Sequence, residues 1–180
     1  FAEAQSIPVA HSISGKGSLS CAHPLSAGLF GRYSRIANDL IAQSDCLLVV
    51  GCKLGEIATK RFQLVAPGVP VVHLDILPEE IGRTTPCDIA LAGDARLGLV
   101  ELHDALHEES RSARECRSDY VAEVPRRMAA WREEALGRLR SNERPINMAR
   151  LMEEVNGVMP ASSVLVVDGG FAGHWGGLLY

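Results

Sequence analysis

The chain has 180 residues, 47% of them hydrophobic and 22% charged, which is ordinary for a globular core and enough for one sizeable domain plus part of another. A net charge of −4 excludes the basic footprint of a nucleic-acid binder, and no apolar run reaches the length of a transmembrane helix. Five cysteines, with no CxxC pair, argue against both a disulfide framework and a zinc knuckle, and point to a reducing, cytoplasmic setting.

In chain order, Phe1-Ala2-Glu3-Ala4 reads as the tail of a helix. There is no initiator Met and no signal peptide, so the chain is expected to start inside a longer protein. Ile7–Ser12 predicts a strand that leaves into a loop through Gly15-Lys16-Gly17. The loop continues past His23-Pro24 to Gly28-Leu29-Phe30-Gly31. Ser34 then caps a helix carrying Ile36, Ala37, Leu40 and Ile41 at helical spacing. Asp45–Gly51 is apolar on both faces, as in a parallel sheet covered on both sides, and Cys46 and Cys52 flank it as small core residues.

The pattern repeats. Glu56–Val65 predicts a helix, Pro70–Ile76 a strand, Pro78–Gly82 a helical turn, and Cys87–Gly93 a strand. Asp94 caps a helix with Leu97, Val100, Leu102 and Leu106 along it. Alternating strands and helices imply right-handed βαβ units, hence an α/β fold: a Rossmann-like parallel sheet with helices on both faces. From Glu108 the composition turns to Arg and Glu, and Tyr120–Arg140 reads as a surface helix ended by Asn142–Pro145. A new unit follows, with a helix over Ile146–Val155 and a buried strand over Val164–Val167 that empties into Asp168-Gly169-Gly170. The expected division is therefore 1–110 as the main α/β domain without its first strand and helix, 111–144 as a linker with a surface helix, and 145–180 as the truncated start of a second domain.

Several motifs carry little chemistry. No GxGxxG fingerprint is present, and Gly51-Cys52-Lys53-Leu54-Gly55 has a different spacing. It reads first as a tight strand-to-helix turn. Asp75 ends the next strand, where a carboxylate can take a ribose hydroxyl or cap a helix. His103-Asp104-Ala105-Leu106-His107 sets two imidazoles one turn apart, but has no Glu and no third ligand. No Ser/His/Asp set has a supporting spacing, so neither a catalytic nor a metal-ligating residue is assigned.

Three stretches taken in order resemble the thiamine diphosphate (ThDP) enzyme family, acetolactate synthase-like members above all. They are "IPVAHSISGKGSLSCAHPLSAGLFGRYSRIANDLIAQSDCLLVVGCKL", "VPVVHLDILPEEIGRTTPCDIALAGDA" and "RPINMARLMEEVNGVMPASSVLVVDGGFAGHW". The resemblance implies that residues 1–110 are the family's central domain and that residues 145–180 open its diphosphate-binding domain. It implies a parent carboligase or decarboxylase that uses ThDP and magnesium on a 2-keto acid, in a homo-oligomer (dimer or tetramer), with no nucleic-acid or membrane partner. The fragment is expected to be inactive alone. Two other roles stand beside that one: a module binding FAD or ADP, and an empty structural spacer.

The implied cofactor contacts fall on Gly28, Gly31, Gly51, Lys53, Asp75 and Asp94 for a nucleotide, and on Gly169, Gly170, Phe171 and Ala172 for the ThDP diphosphate. Two departures stand out. Acetolactate synthases carry Gln-His where this chain has Phe171-Ala172, and His174 lies two positions further on. FAD-binding members often carry Arg at the position of Lys53, whose ammonium keeps the charge but lacks the planar fork. Gly93-Asp94-Ala95 is not the family's magnesium loop, because Ala95 replaces Gly and Asn142 lies too far along.

Overall fold

A computed structural model describes residues 1–160 and 162–180. Five short strands, β1 (Val9–His11), β2 (Ser26–Leu29), β3 (Leu47–Val50), β4 (Val71–Asp75) and β5 (Ile89–Ala92), form two parallel sheets, β1-β2 and β3-β4-β5. Helix α1 (Ala2–Gln5) precedes them, and α2 (Ala37–Ala42) lies between β2 and β3. Helices α3 (Ala95–Ala105), α4 (Ser110–Cys116), α5 (Ser118–Leu139), α6 (Met148–Val158) and α7 (Gly170–Leu179) follow β5. This is the expected α/β, Rossmann-like arrangement of parallel strands flanked by helices.

The apolar strands account for the larger sheet. Leu47 to Val50 pair in register with Val71 to Leu74, and Val72 to Asp75 pair with Ile89 to Ala92. Parallel pairing needs a crossover between successive strands, so the carboxyl ends of β3, β4 and β5 share one edge. Ala27, Phe30, Ala37, Leu40, Val49 and Val71 fill the core between the sheets and α2. Val124 of α5 joins that core, while Ala135 and Leu139 of the same helix join a second cluster with Ala149, Met152 and Leu179. The helix expected as a linker element thus packs against two cores. Trp131 touches both. Helix α3 lies over the sheet at Gly98, where an added Cβ would come within 2.8 Å of Leu74 Cδ2.

Four local expectations are corrected. Residues 26–29 were expected in a loop; they form β2, because their backbone pairs with β1 despite Gly28. Residues 56–65 form turns instead of a helix. Thr59, 1% exposed, donates its hydroxyl to Gly55 O (2.9 Å) and accepts from Phe62 N (3.1 Å). That competing bond set accompanies left-handed backbone at Lys60, Arg61 and Phe62. Val164–Val167 is neither a strand nor buried, with Val164 81% and Val166 88% exposed. A strand needs a neighbour to satisfy its backbone, and among the described residues none pairs with it. Gly170 onward is helix, not turn: α7 packs on α6 and β2, with Asn156 Nδ2 donating to Leu179 O (2.8 Å).

All five cysteines are free, and Cys46, expected as a core residue, is exposed. No helix among the described residues is long and apolar enough to cross a membrane, and no group of three His, Cys, Asp or Glu side chains among them is arranged to hold a metal.

Candidate functional site

Strand pairing brings four of the expected residues to one edge. Gly51 follows β3 with φ 56°, a conformation natural to glycine, and its N–H donates to Leu74 O (2.8 Å). Nothing lies within 4 Å of where a Cβ would sit on Gly51, so its backbone faces open space. Asp75 ends β4, only 6% exposed; its Oδ1 accepts from Leu77 N (2.9 Å) and its carbonyl from Gly93 N (3.0 Å). The first of these is an Asx turn that fixes how the chain leaves the strand. Asp94 follows β5, and its Oδ1 accepts from Arg96 N (2.9 Å) and Leu97 N (3.0 Å), capping α3.

Lys53 is held from the side. Its Nζ lies 3.1 Å from Glu80 Oε1, while Arg83 Nε donates to Glu80 Oε2 (2.7 Å). The bond from Arg83, then that from Lys53, holds the Glu80 carboxyl below its usual range. The Thr84 hydroxyl lies 3.1 Å from both Lys53 O and Leu54 O. Burial pushes the Cys52 thiol up; a backbone bond at Leu54 opposes this and the Asp75 carboxylate adds to it. Ile76 and Leu77 stand 65% and 41% exposed beside Asp75. The edge therefore offers an open backbone turn, a tethered cation, a carboxylate and an apolar platform.

The other expected residues lie elsewhere. Gly31, with φ 116°, sits where an added Cβ would come within 3.0 Å of Ala58 Cα, and its amide and carbonyl bond Asn38. It fixes a close backbone crossing between the β2 exit and the segment after β3. Gly28 lies within β2, where an added Cβ would come within 4.0 Å of Met128 Cε of α5. Gly169 is the N-cap of α7 and Gly170 its first residue, with φ 68°. No atom lies within 4 Å of a Cβ added at either, so an anion can approach that backbone, as a diphosphate requires. Phe171 is 66% exposed in the same turn as Ala172. His174 turns away, its ring 4.8 Å from that of Tyr33. The structure does not bring Gly169–Ala172 to the Gly51 edge, since α7 packs on α6 and β2.

Sequence reasoning missed one cluster. His11, Lys16, Cys21 and Arg35 line a small cavity closed by Met128 and the backbone of Gly177 and Leu178. The Gly-Lys-Gly loop and the odd cysteine were the only signals, and neither indicated that they meet.

Residues 1–102 match the family described as thiamine pyrophosphate enzyme, central domain. The chain belongs to that family. It is 36% identical over 107 residues to a probable acetolactate synthase large subunit from Methanocaldococcus jannaschii, covering 59% of this chain and 18% of that protein. It is 31% identical over 109 residues to the acetolactate synthase isozyme 3 large subunit of Escherichia coli K12, covering 60% of this chain and 19% of that one. A match to the glyoxylate carboligase of Escherichia coli O157:H7, 29% identical over 159 residues, covers 87% of this chain and 26% of the carboligase. The chain thus spans a small part of the length of the curated relatives it matches.

Proposed function

We propose that this chain is the central-domain part of a ThDP- and magnesium-dependent carboligase or decarboxylase of the acetolactate synthase type, acting on a 2-keto acid. The observation that carries the reading is the central-domain match over residues 1–102, joined to a parallel sheet whose strand ends gather Gly51, Asp75 and Asp94. ThDP supplies carbanion chemistry when bound. Gly169 and Gly170 are the backbone that would lie against its diphosphate, with Phe171 and Ala172 beside it. Residues 1–110 act as the central domain, 111–144 as the connector, and 145–180 as the opening of the diphosphate domain. The complete protein works as a homo-oligomer, a dimer or a tetramer.

Within that enzyme, the part this chain plays is to hold FAD or ADP at the Gly51 edge. The Gly51 turn takes phosphate, Lys53 neutralises it, and Asp75 takes a ribose hydroxyl. A specific observation favours a second reading, an empty spacer: Lys53 is tied to Glu80, and one Asp75 oxygen bonds its own backbone.

Turnover tests the first reading. With ThDP, magnesium and pyruvate, the isolated chain is expected to form no acetolactate, because it matches only 17–26% of the length of the first relatives. Robust acetolactate formation would sink the assignment of this chain as a non-catalytic part. Titration with FAD and ADP separates the nucleotide site from the spacer.

A further inference from the structure

The cavity at the β1-β2 corner holds a second, independent constellation. His11 ends β1 and is 5% exposed. Its Nδ1 lies 3.0 Å from Ser12 O, a carbonyl that can only accept, so Nδ1 carries the proton in the neutral ring. That leaves Nε2 as the basic nitrogen, and it is buried without a partner. Burial of such a group is unfavourable unless something pairs with it. The loop after β1 brings Lys16 and Cys21 to the same cavity, with Lys16 Nζ 3.4 Å from Cys21 Sγ and 3.2 Å from Gly177 O. Arg35 also lines it, its Nε donating to Leu178 O (2.7 Å). Met128 and the α7 backbone add no titratable group. Cys21 itself remains exposed.

We propose that Cys21, His11 and Lys16 form an oxidisable thiolate site that takes hydrogen peroxide. The Cys21 proton passes to His11 Nε2, whose N–H then faces the thiolate, with the Lys16 ammonium as a second positive partner. The thiolate attacks one peroxide oxygen. An S–O bond forms and the O–O bond breaks. Sulfur loses two electrons and the peroxide gains them. The departing hydroxide takes the proton from His11 and leaves as water, so a thiol and a peroxide become a sulfenic acid and a water. The cavity beside the thiol is about 10 Å³, room for one water-sized group. It has room for an oxygen atom on the His11 side of the thiol.

The charges act in the same direction. The thiol falls from the ordinary cysteine value of ~8.5 to about 7, chiefly through His11, with Lys16 adding to it and burial opposing. In the resting geometry His11 Nδ1 bonds Ser12 O, and Nε2 has no hydrogen-bond partner. At pH 7 about half of such a thiol is ionised, against ~3% of an ordinary one. Its lower intrinsic nucleophilicity removes about a factor of 5 of that advantage. The net preference is about 3-fold at pH 7 and about 6-fold at pH 6.

The test treats the 180-residue chain with limiting hydrogen peroxide, traps sulfenic acid with dimedone, and quantifies each cysteine by peptide mass spectrometry. Cys46 and Cys116, both exposed, are internal references. Cys21 is expected to label about 3-fold faster than either at pH 7, and the ratio to widen at pH 6. Lys16→Met lowers the ratio and His11→Gln abolishes it, with circular dichroism reporting whether each variant folds. Lys16 lies in a surface loop, so its variant keeps the test valid if the His11 variant unfolds. Labelling of Cys21 no faster than Cys46 and Cys116, or a ratio unchanged by Lys16→Met, would overturn the proposal.

Discussion

The Gly51 edge and the β1-β2 corner are both places where parallel strands run out into loops, yet they settle their polar groups differently. At the edge, Asp75 bonds Leu77, Asp94 caps α3, and Glu80 holds Lys53 and Arg83. At the corner, His11 keeps a bare nitrogen and Cys21 a thiol with cations around it. The edge satisfies its polar groups while offering open backbone; the corner leaves His11 Nε2 unpartnered in the cavity that Cys21 and Lys16 also line. The two cysteines show the same contrast. Burial raises the Cys52 thiol, whereas His11 and Lys16 lower that of Cys21.

The largest expected effect separates a glycine that packs from one that only turns. Gly31→Ala forces a positive φ on alanine and drives a methyl toward the Ala58 backbone, so it is expected to lose about 3 kcal/mol. Gly51→Ala meets no neighbour and is expected to lose about 1 kcal/mol. Urea unfolding measures both, and equal losses would remove the distinction between a packed and an open turn.

Next comes Asp75→Ala. If a ribose hydroxyl bonds that carboxylate, nucleotide affinity falls about tenfold or more, since bonds to charged groups are worth ~1.5–3 kcal/mol. Unchanged affinity would remove Asp75 from the site. Asp94→Ala removes the α3 cap and is expected to lower stability by about 1 kcal/mol, with Asp94→Asn restoring most of it in thermal melts.

The smallest effect, and the one that most sharpens the comparison, is the pH dependence contributed by the two thiols. The Cys21 pKa is depressed in the folded chain, so its contribution is full above the ordinary cysteine value of ~8.5 and lost as pH falls through about 7. The Cys52 pKa is raised, so its contribution is full below the ordinary cysteine value of ~8.5 and lost as pH rises beyond it. Against wild type, Cys21→Ser therefore loses most stability at alkaline pH and Cys52→Ser at neutral pH. Parallel curves from chemical unfolding at pH 6 to 9.5 would contradict the opposite environments.

Much of the larger sheet was legible because its strands are continuous apolar runs, and α3 because Asp94 precedes a periodic helix. The rest depended on contacts that no local pattern encodes. Ser26-Ala27-Gly28-Leu29 looks like loop but becomes β2 through pairing with β1. Val164–Val167 has the composition of a strand and lacks a partner among the described residues. Helix α7 contains Gly170, Gly173, Gly176 and Gly177, poor helix formers, and packs closely through the last two, Gly176 against Val167 and Gly177 against Ile13 and Leu29. The Gly51, Asp75 and Asp94 positions were readable as strand ends. The tie between Lys53 and Glu80, 27 residues apart in sequence, was not. Nor was the meeting of His11 with Cys21, which needs a loop to fold back onto β1.

The most direct test of the central claim is calorimetric titration of this chain with FAD and ADP, with NAD as the control. The account predicts saturable, micromolar binding of FAD or ADP and none of NAD. Absence of binding to all three would contradict the nucleotide role of the Gly51 edge and leave the domain as a spacer between catalytic parts.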